Sequence, residues 1–122
     1  MSQLPVKIMV TQGLQLILLQ PQGRLDVEGG KSLEKQMARL VPQGNQLWVF
    51  DLAEVDFIDS SGLVALITGL KVARKSSCRL VLCNVQAPVR LVFELTQLDS
   101  VFEIFESYDA VLTTVNPPVL VA

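Results

Sequence analysis

At 122 residues, half of them hydrophobic, the chain is long enough to bury a real core and has the size of one domain. A formal charge of -2, from 10 Lys and Arg against 12 Asp and Glu, leaves no basic footprint for nucleic acid, so a protein partner or small ligand fits better. With no His and only two Cys, the common tools of general-base catalysis and zinc ligation are missing, which puts conventional hydrolases and metalloenzymes far behind.

The first residues, MSQLPVKIMVTQ, have neither a charged leader nor a continuous apolar segment, and no apolar run approaches the roughly 20 residues of a membrane span. A soluble, cytoplasmic protein is expected. Val6 to Val10 and Leu14 to Gln20 flank Thr11, Gln12 and Gly13, which reads as a hairpin of two strands. PQGRLD (Pro21 to Asp26) is then a loop. Leu33, Met37, Leu40 and Val41 come next at i, i+4, i+7 and i+8, the apolar stripe of a helix whose other face carries Glu34, Lys35 and Arg39. Pro42 and Gly44 end it.

LWVFDL (Leu47 to Leu52) is apolar on both parities up to its acid, as expected of a central strand covered on both sides, with Trp48 in the core. From Ser60 to Lys75 the spacing turns helical, with Leu63, Leu66, Ile67 and Leu70 facing the sheet. Turning 100° per residue places Val64, Ala65, Thr68 and Val72 on the opposite face, which is oddly apolar for a solvent side. Cys78 and Cys83, with four residues between them, match no redox motif and read as structural thiols in a reducing compartment.

RLVLCNV (Arg79 to Val85) is another buried strand. Pro88 then sits where the first turn of a helix accepts proline, with Leu91, Val92, Leu95 and Leu98 along the inner face. Phe102 to Phe105 forms a short strand, and Ser107 or Asp109 caps a last helix reaching about Val115, stopped by Asn116, Pro117 and Pro118. The order β-β-α-β-α-β-α-β-α implies an α/β fold: one domain over 1-122, with a core of about 5-115 and a tail of 116-122. Its mainly parallel mixed sheet opens with a hairpin and carries about four helices. Function in such sheets gathers at the carboxyl ends of strands, and Asp51 and the DSSG stretch (Asp59 to Gly62) both lie there.

Taken alone, Asp59 and Ser60 are a helix cap. The wider stretch LWVFDLAEVDFIDSSGLVAL (Leu47 to Leu66) resembles the signature of STAS domains of the bacterial anti-sigma factor antagonist type. GRLDV near residue 25 and PVRLVFELTQLDSVFEIF resemble further elements of that family. The resemblance implies a STAS-like fold and a regulatory module without catalysis of its own. In that family the unmodified antagonist binds an anti-sigma factor that is also a serine kinase. Phosphorylation of the first Ser of the motif, here Ser60, releases it, and a PP2C-type phosphatase resets it. A partner surface of Asp26, Asp59, Ser60, Ser61, Gly62, Val64, Ala65 and Thr68 is expected, with no cofactor, no metal and no direct nucleic acid; any homodimer is expected to be weak.

Two departures from the family pattern stand out. Gly29 and Gly30 lie where better helix formers are usual, so the first helix is expected to start loosely or late. Gln97 replaces a common Gly and is strained if its backbone is left-handed. Two competing functions remain: a STAS scaffold or lipid-transport accessory subunit in which Ser60 is never modified, and a receiver-like domain phosphorylated at Asp51. The receiver lacks paired acids for Mg²⁺ and a strand-end Lys. A magnesium cluster of Asp26, Asp51, Asp56 and Asp59 is disfavoured because Asp-rich loops are usually solvated or capping. GRLDVEGG lacks the spacing of a phosphate-binding loop.

Overall fold

The computed structural model describes residues 6-11 and 13-115. The hairpin forms as expected, β1 (Val6–Thr11) lying antiparallel to β2 (Leu14–Leu19). The next strands of the main sheet, β4 (Gln46–Asp51), β6 (Arg79–Cys83) and β7 (Glu103–Phe105), extend it in parallel, in the order β1-β2-β4-β6-β7. Strand alternation explains why both parities of the central strands are apolar. Ile17, Leu19, Trp48, Phe50, Leu80 and Leu82 point to one face, and Leu16, Leu18, Leu47, Val49, Val81 and Cys83 to the other.

Three helices cover the first face: α1 (Val27–Ala38), α2 (Ser60–Lys75) and α3 (Ala87–Leu95). The second face is covered by α4 (Tyr108–Val115) through Val111, Leu112, Val115 and Tyr108. Ser107 Oγ caps α4 by accepting from Ala110 N at 3.1 Å. The expected stop at Asn116, Pro117 and Pro118, and the tail beyond, lie outside the described residues.

Two short strands have no counterpart in the expected element order. β3 (Gly23–Leu25) lies inside the expected PQGRLD loop, and β5 (Val55–Ile58) inside the connection after Asp51. They pair in parallel as a separate two-stranded sheet, Leu25 opposite Ile58. A three-residue strand is too short to show alternation, so its signal is lost among turn residues.

Three further expectations are corrected. Val41 is not on a helical stripe: α1 ends at Ala38, and Val41, just before Pro42 where a helical backbone is disfavoured, is 69% exposed. Of the expected inner face of α3, Val92 and the following Leu98 do pack on the core, but the buried residues of the helix are Val89 and Phe93, whereas the expected Leu91 and Leu95 are exposed. The two sets lie two residues apart, a turn of roughly 200°; Phe93 wins the inside because it is fully buried and stacks on Phe102, ring centroids 5.8 Å apart. Finally, α1 starts neither late nor loosely, since Val27 is already helical and Asp26 caps it. Gln97 does adopt left-handed angles, at φ 62 and ψ 19.

Candidate functional site at the paired starts of two helices

The pairing of Leu25 with Ile58 sets the next residue of each strand side by side, and each is an aspartate that begins a helix. Asp59 is extended (φ -120, ψ -170), and its Oδ1 accepts from Ser61 N at 2.9 Å and Gly62 N at 3.2 Å. These are the N–H groups that an α-helix leaves without partners in its first turn. Asp59 N donates to Leu25 O at 3.2 Å, tying the start of α2 to β3. At the neighbouring start, Asp26 Oδ1 accepts from Gly29 N at 3.0 Å, and Asp26 Oδ2 lies 3.5 Å from Arg24 Nε. The Gly29 hydrogen bond, aided by the Arg24 guanidinium, holds the Asp26 carboxyl below its ordinary value. Arg24 also lies over the Phe57 ring, 3.8 Å from its centroid.

Glycine is required where the start of α2 meets β3, and it eases the close approach of the two helices to each other. A Cβ on Gly62 would overlap Leu25 O, and one on Gly30 would come within 3.2 Å of Ser61 O and 3.4 Å of Ala65 Cβ. The propensity cost of these two residues is therefore the condition for close packing. The small residues Ser61, Ala65 and Gly69 recur every four residues along α2 and let α1 approach. Thus α2 is covered on two sides, by the sheet and by α1.

Ala65, expected on the outer face, is accordingly 0% exposed. Its expected partner contact is corrected: a 100° step from Val64 takes it under Gly30 rather than into solvent. Gly62 is likewise buried against β3 and offers nothing to a partner. Ser60 is exposed as the first helical residue, Ser61 is half-buried, and Val64 and Thr68 are exposed. Asp26 and Asp59 are half-buried caps.

Between α1 and α2 runs a groove of about 310 Å³ lined by Val27, Gly30, Lys31, Glu34, Ser60, Ser61 and Val64. It brings together Ser60, Ser61 and Val64 of the expected surface, but not Thr68 or the two caps. Val27, Lys31 and Glu34 were not among the expected site residues. Their i, i+4, i+7 spacing is present in the sequence, but it carries meaning only once the helix is known to begin at Val27. Val27 and Val64 are 51% and 56% exposed, so the groove is bordered by apolar side chains open to solvent.

Asp51, the other acid at a strand end, is enclosed. It accepts from Gln20 Nε2 at 3.2 Å, Ala53 N at 3.0 Å and Asn84 Nδ2 at 3.1 Å, and is 8% exposed. Beside it, burial and the Asp51 charge push the Cys83 thiol up to about 12. Fully used in joining loops, Asp51 is poorly placed to meet a phosphoryl donor. Among the described residues no three His, Cys, Asp or Glu side chains come together as metal ligands.

Comparison with known proteins agrees with this architecture. Residues 7–111 match the family model described as STAS domain, and the chain belongs to that family. Over 89 residues, 73% of this chain and 77% of the relative, it is 34% identical to "Putative anti-sigma factor antagonist BtrV" of Bordetella bronchiseptica. The anti-sigma factor antagonist SpoIIAA, solved in its unphosphorylated form, has the same fold: TM-score 0.71, 16% identity, with 95% of this chain and 100% of that one covered. A sulfate transporter family protein from Wolinella succinogenes also shares the fold, at TM-score 0.73 and 16% identity over 87% of each chain. The fold therefore hosts more than one role. Among the described residues no helix is long and apolar enough to cross a membrane.

Proposed function

We propose that the protein is an anti-sigma factor antagonist-like switch of a cytoplasmic partner-switching pathway, with Ser60 as its modified residue. The observation that carries this reading is the exposure of Ser60 at the rim of the α1/α2 groove, on a helix start fixed by Asp59. Unmodified, the surface of Ser60, Ser61, Val64 and Thr68, extended by Val27 on α1, docks an anti-sigma factor that is a serine kinase. The Ser60 hydroxyl takes the γ-phosphoryl group of ATP, releasing ADP and a proton. The added charge of about -1.5 to -2 breaks the apolar docking surface. The fold survives because the positive dipole end of α2 favours an anion there. A PP2C-type phosphatase hydrolyses the ester and resets the module. The module needs neither cofactor nor nucleic acid for this, and catalysis belongs to the partners.

Support comes from the resemblance to BtrV and from the scaffolding role of Asp51, which argues against a receiver-like phosphoaspartate. The test is incubation with the serine kinases of the same cell and ATP, followed by mass spectrometry. Phosphate on Ser60, lost in Ser60→Ala, is expected. Phosphate on Asp51 would overturn the reading, and absence of phosphate with every such kinase would favour an unmodified scaffold on the fold shared with the transporter family protein.

A further inference from the structure

The α1/α2 groove has one cationic side chain in its lining, Lys31, and it shares that lining with Ser60. Lys31 is exposed, one turn beyond Val27 on α1, and makes no ion pair among the described residues. The other charges around the helix starts are engaged or of the wrong sign. Arg24 is held between Asp26 and the Phe57 ring. The Asp59 and Asp26 carboxylates accept from backbone N–H groups of their own helices. Glu28 and Asp56 are exposed acids nearby in sequence, and Glu34 is an acid in the groove itself, one turn beyond Lys31.

We propose that Lys31 receives a phosphate on Ser60, drawing the modified side chain into the groove between Val27 and Val64. This rests on the reading of Ser60 as the modified residue and adds how the modification acts. An unconstrained phosphoserine at an exposed helix start would be free to turn to solvent. Across a groove of about 310 Å³ the flexible lysine stem reaches it, and the pairing is charge-assisted. Glu34 repels the phosphate from the far end, which confines it to the Ser60 end. The phosphorylated protein therefore covers its own docking groove, and release of the partner comes from occlusion as well as repulsion.

The experiment uses the full chain with phosphoserine installed at position 60 during translation, so no kinase is needed. The second ionisation of the phosphate is tracked by ³¹P NMR. A lysine at contact distance across a solvent-exposed groove lowers that pKa, so Lys31→Met is expected to raise it by about half a unit. Lys35→Met, on the same helix but outside the groove, should leave it unchanged. The Val27 and Val64 methyl resonances should shift on phosphorylation in the wild type and far less in Lys31→Met. Identical titrations for wild type and Lys31→Met would overturn the proposal, as would an equal rise in Lys35→Met. Failure of every kinase to modify Ser60 would count against the proposed function alone; an unchanged titration counts against the role of Lys31 alone.

Discussion

Asp51 ends β4 and Asp59 follows β5, so both lie at carboxyl ends of strands, yet they do opposite work. Asp51 turns inward and spends its oxygens on Gln20, Ala53 and Asn84, closing the main sheet. Asp59 turns its oxygen onto the first turn of its own helix and leaves Ser60 exposed. The difference lies in the backbone just beyond each acid. After Asp51 the chain makes a tight turn, its Ala53 N held by Asp51 Oδ1, that leads into β5 of the separate small sheet, while after Asp59 it begins a helix whose opening N–H groups are satisfied by Asp59 itself. A carboxylate at a strand end thus becomes scaffold or display according to the partners its next residues bring.

Substitutions can break this contrast in order of size. Asp51→Ala leaves Gln20, Asn84 and Ala53 N without their acceptor and should cost about 2–3 kcal/mol in urea denaturation. Gly62→Ala pushes α2 off Leu25 O and should cost about 2 kcal/mol by the same measurement, by overpacking. An unchanged midpoint there would mean that α2 is not pinned to β3. Asp59→Ala removes only a cap, for about 1 kcal/mol, but should loosen the first turn of α2 enough to speed amide exchange at Ser61 and Gly62. Ser60→Asp should change stability by less than about 0.5 kcal/mol while abolishing capture of the kinase partner. A large loss of stability in Ser60→Asp would make the site structural after all.

Much of this contrast was legible in the sequence. The apolar runs at Leu47 and Arg79 announced double-sided burial, and the limits of the helix from Ser60 to Lys75 match the structure. The hidden part was cooperative. β3 and β5 are strands only because they pair with each other, and neither Gly23–Leu25 nor Val55–Ile58 is long enough to declare itself. Without that pair, nothing in the sequence sets Asp26 beside Asp59, and the α1 wall of the groove goes unseen. Ala65 failed for a related reason: a helix wheel assumes one buried face, whereas α2 is covered by a sheet and by a neighbouring helix. At α3 the wheel had two apolar sides to choose from, and the aromatic Phe93 decided.

The buried thiols have a practical consequence. Cys83 lies fully buried at the end of β6 with its pKa raised to about 12, while Cys78, also buried, donates Sγ to Gln43 O at 2.9 Å beside the turn that leads into β4. Neither should react with an alkylating reagent until its surroundings open. Below the ordinary cysteine value of 9.0 the raised Cys83 pKa contributes its full share of stability, and that share is lost as pH climbs from 9.0 toward 12. At about pH 8, then, the rate at which Cys78 is labelled times the opening of one turn, and the rate for Cys83 times the parting of the central sheet. The molecule thus carries two clocks of its own, native thiols that report separately on the turn before β4 and on the central sheet.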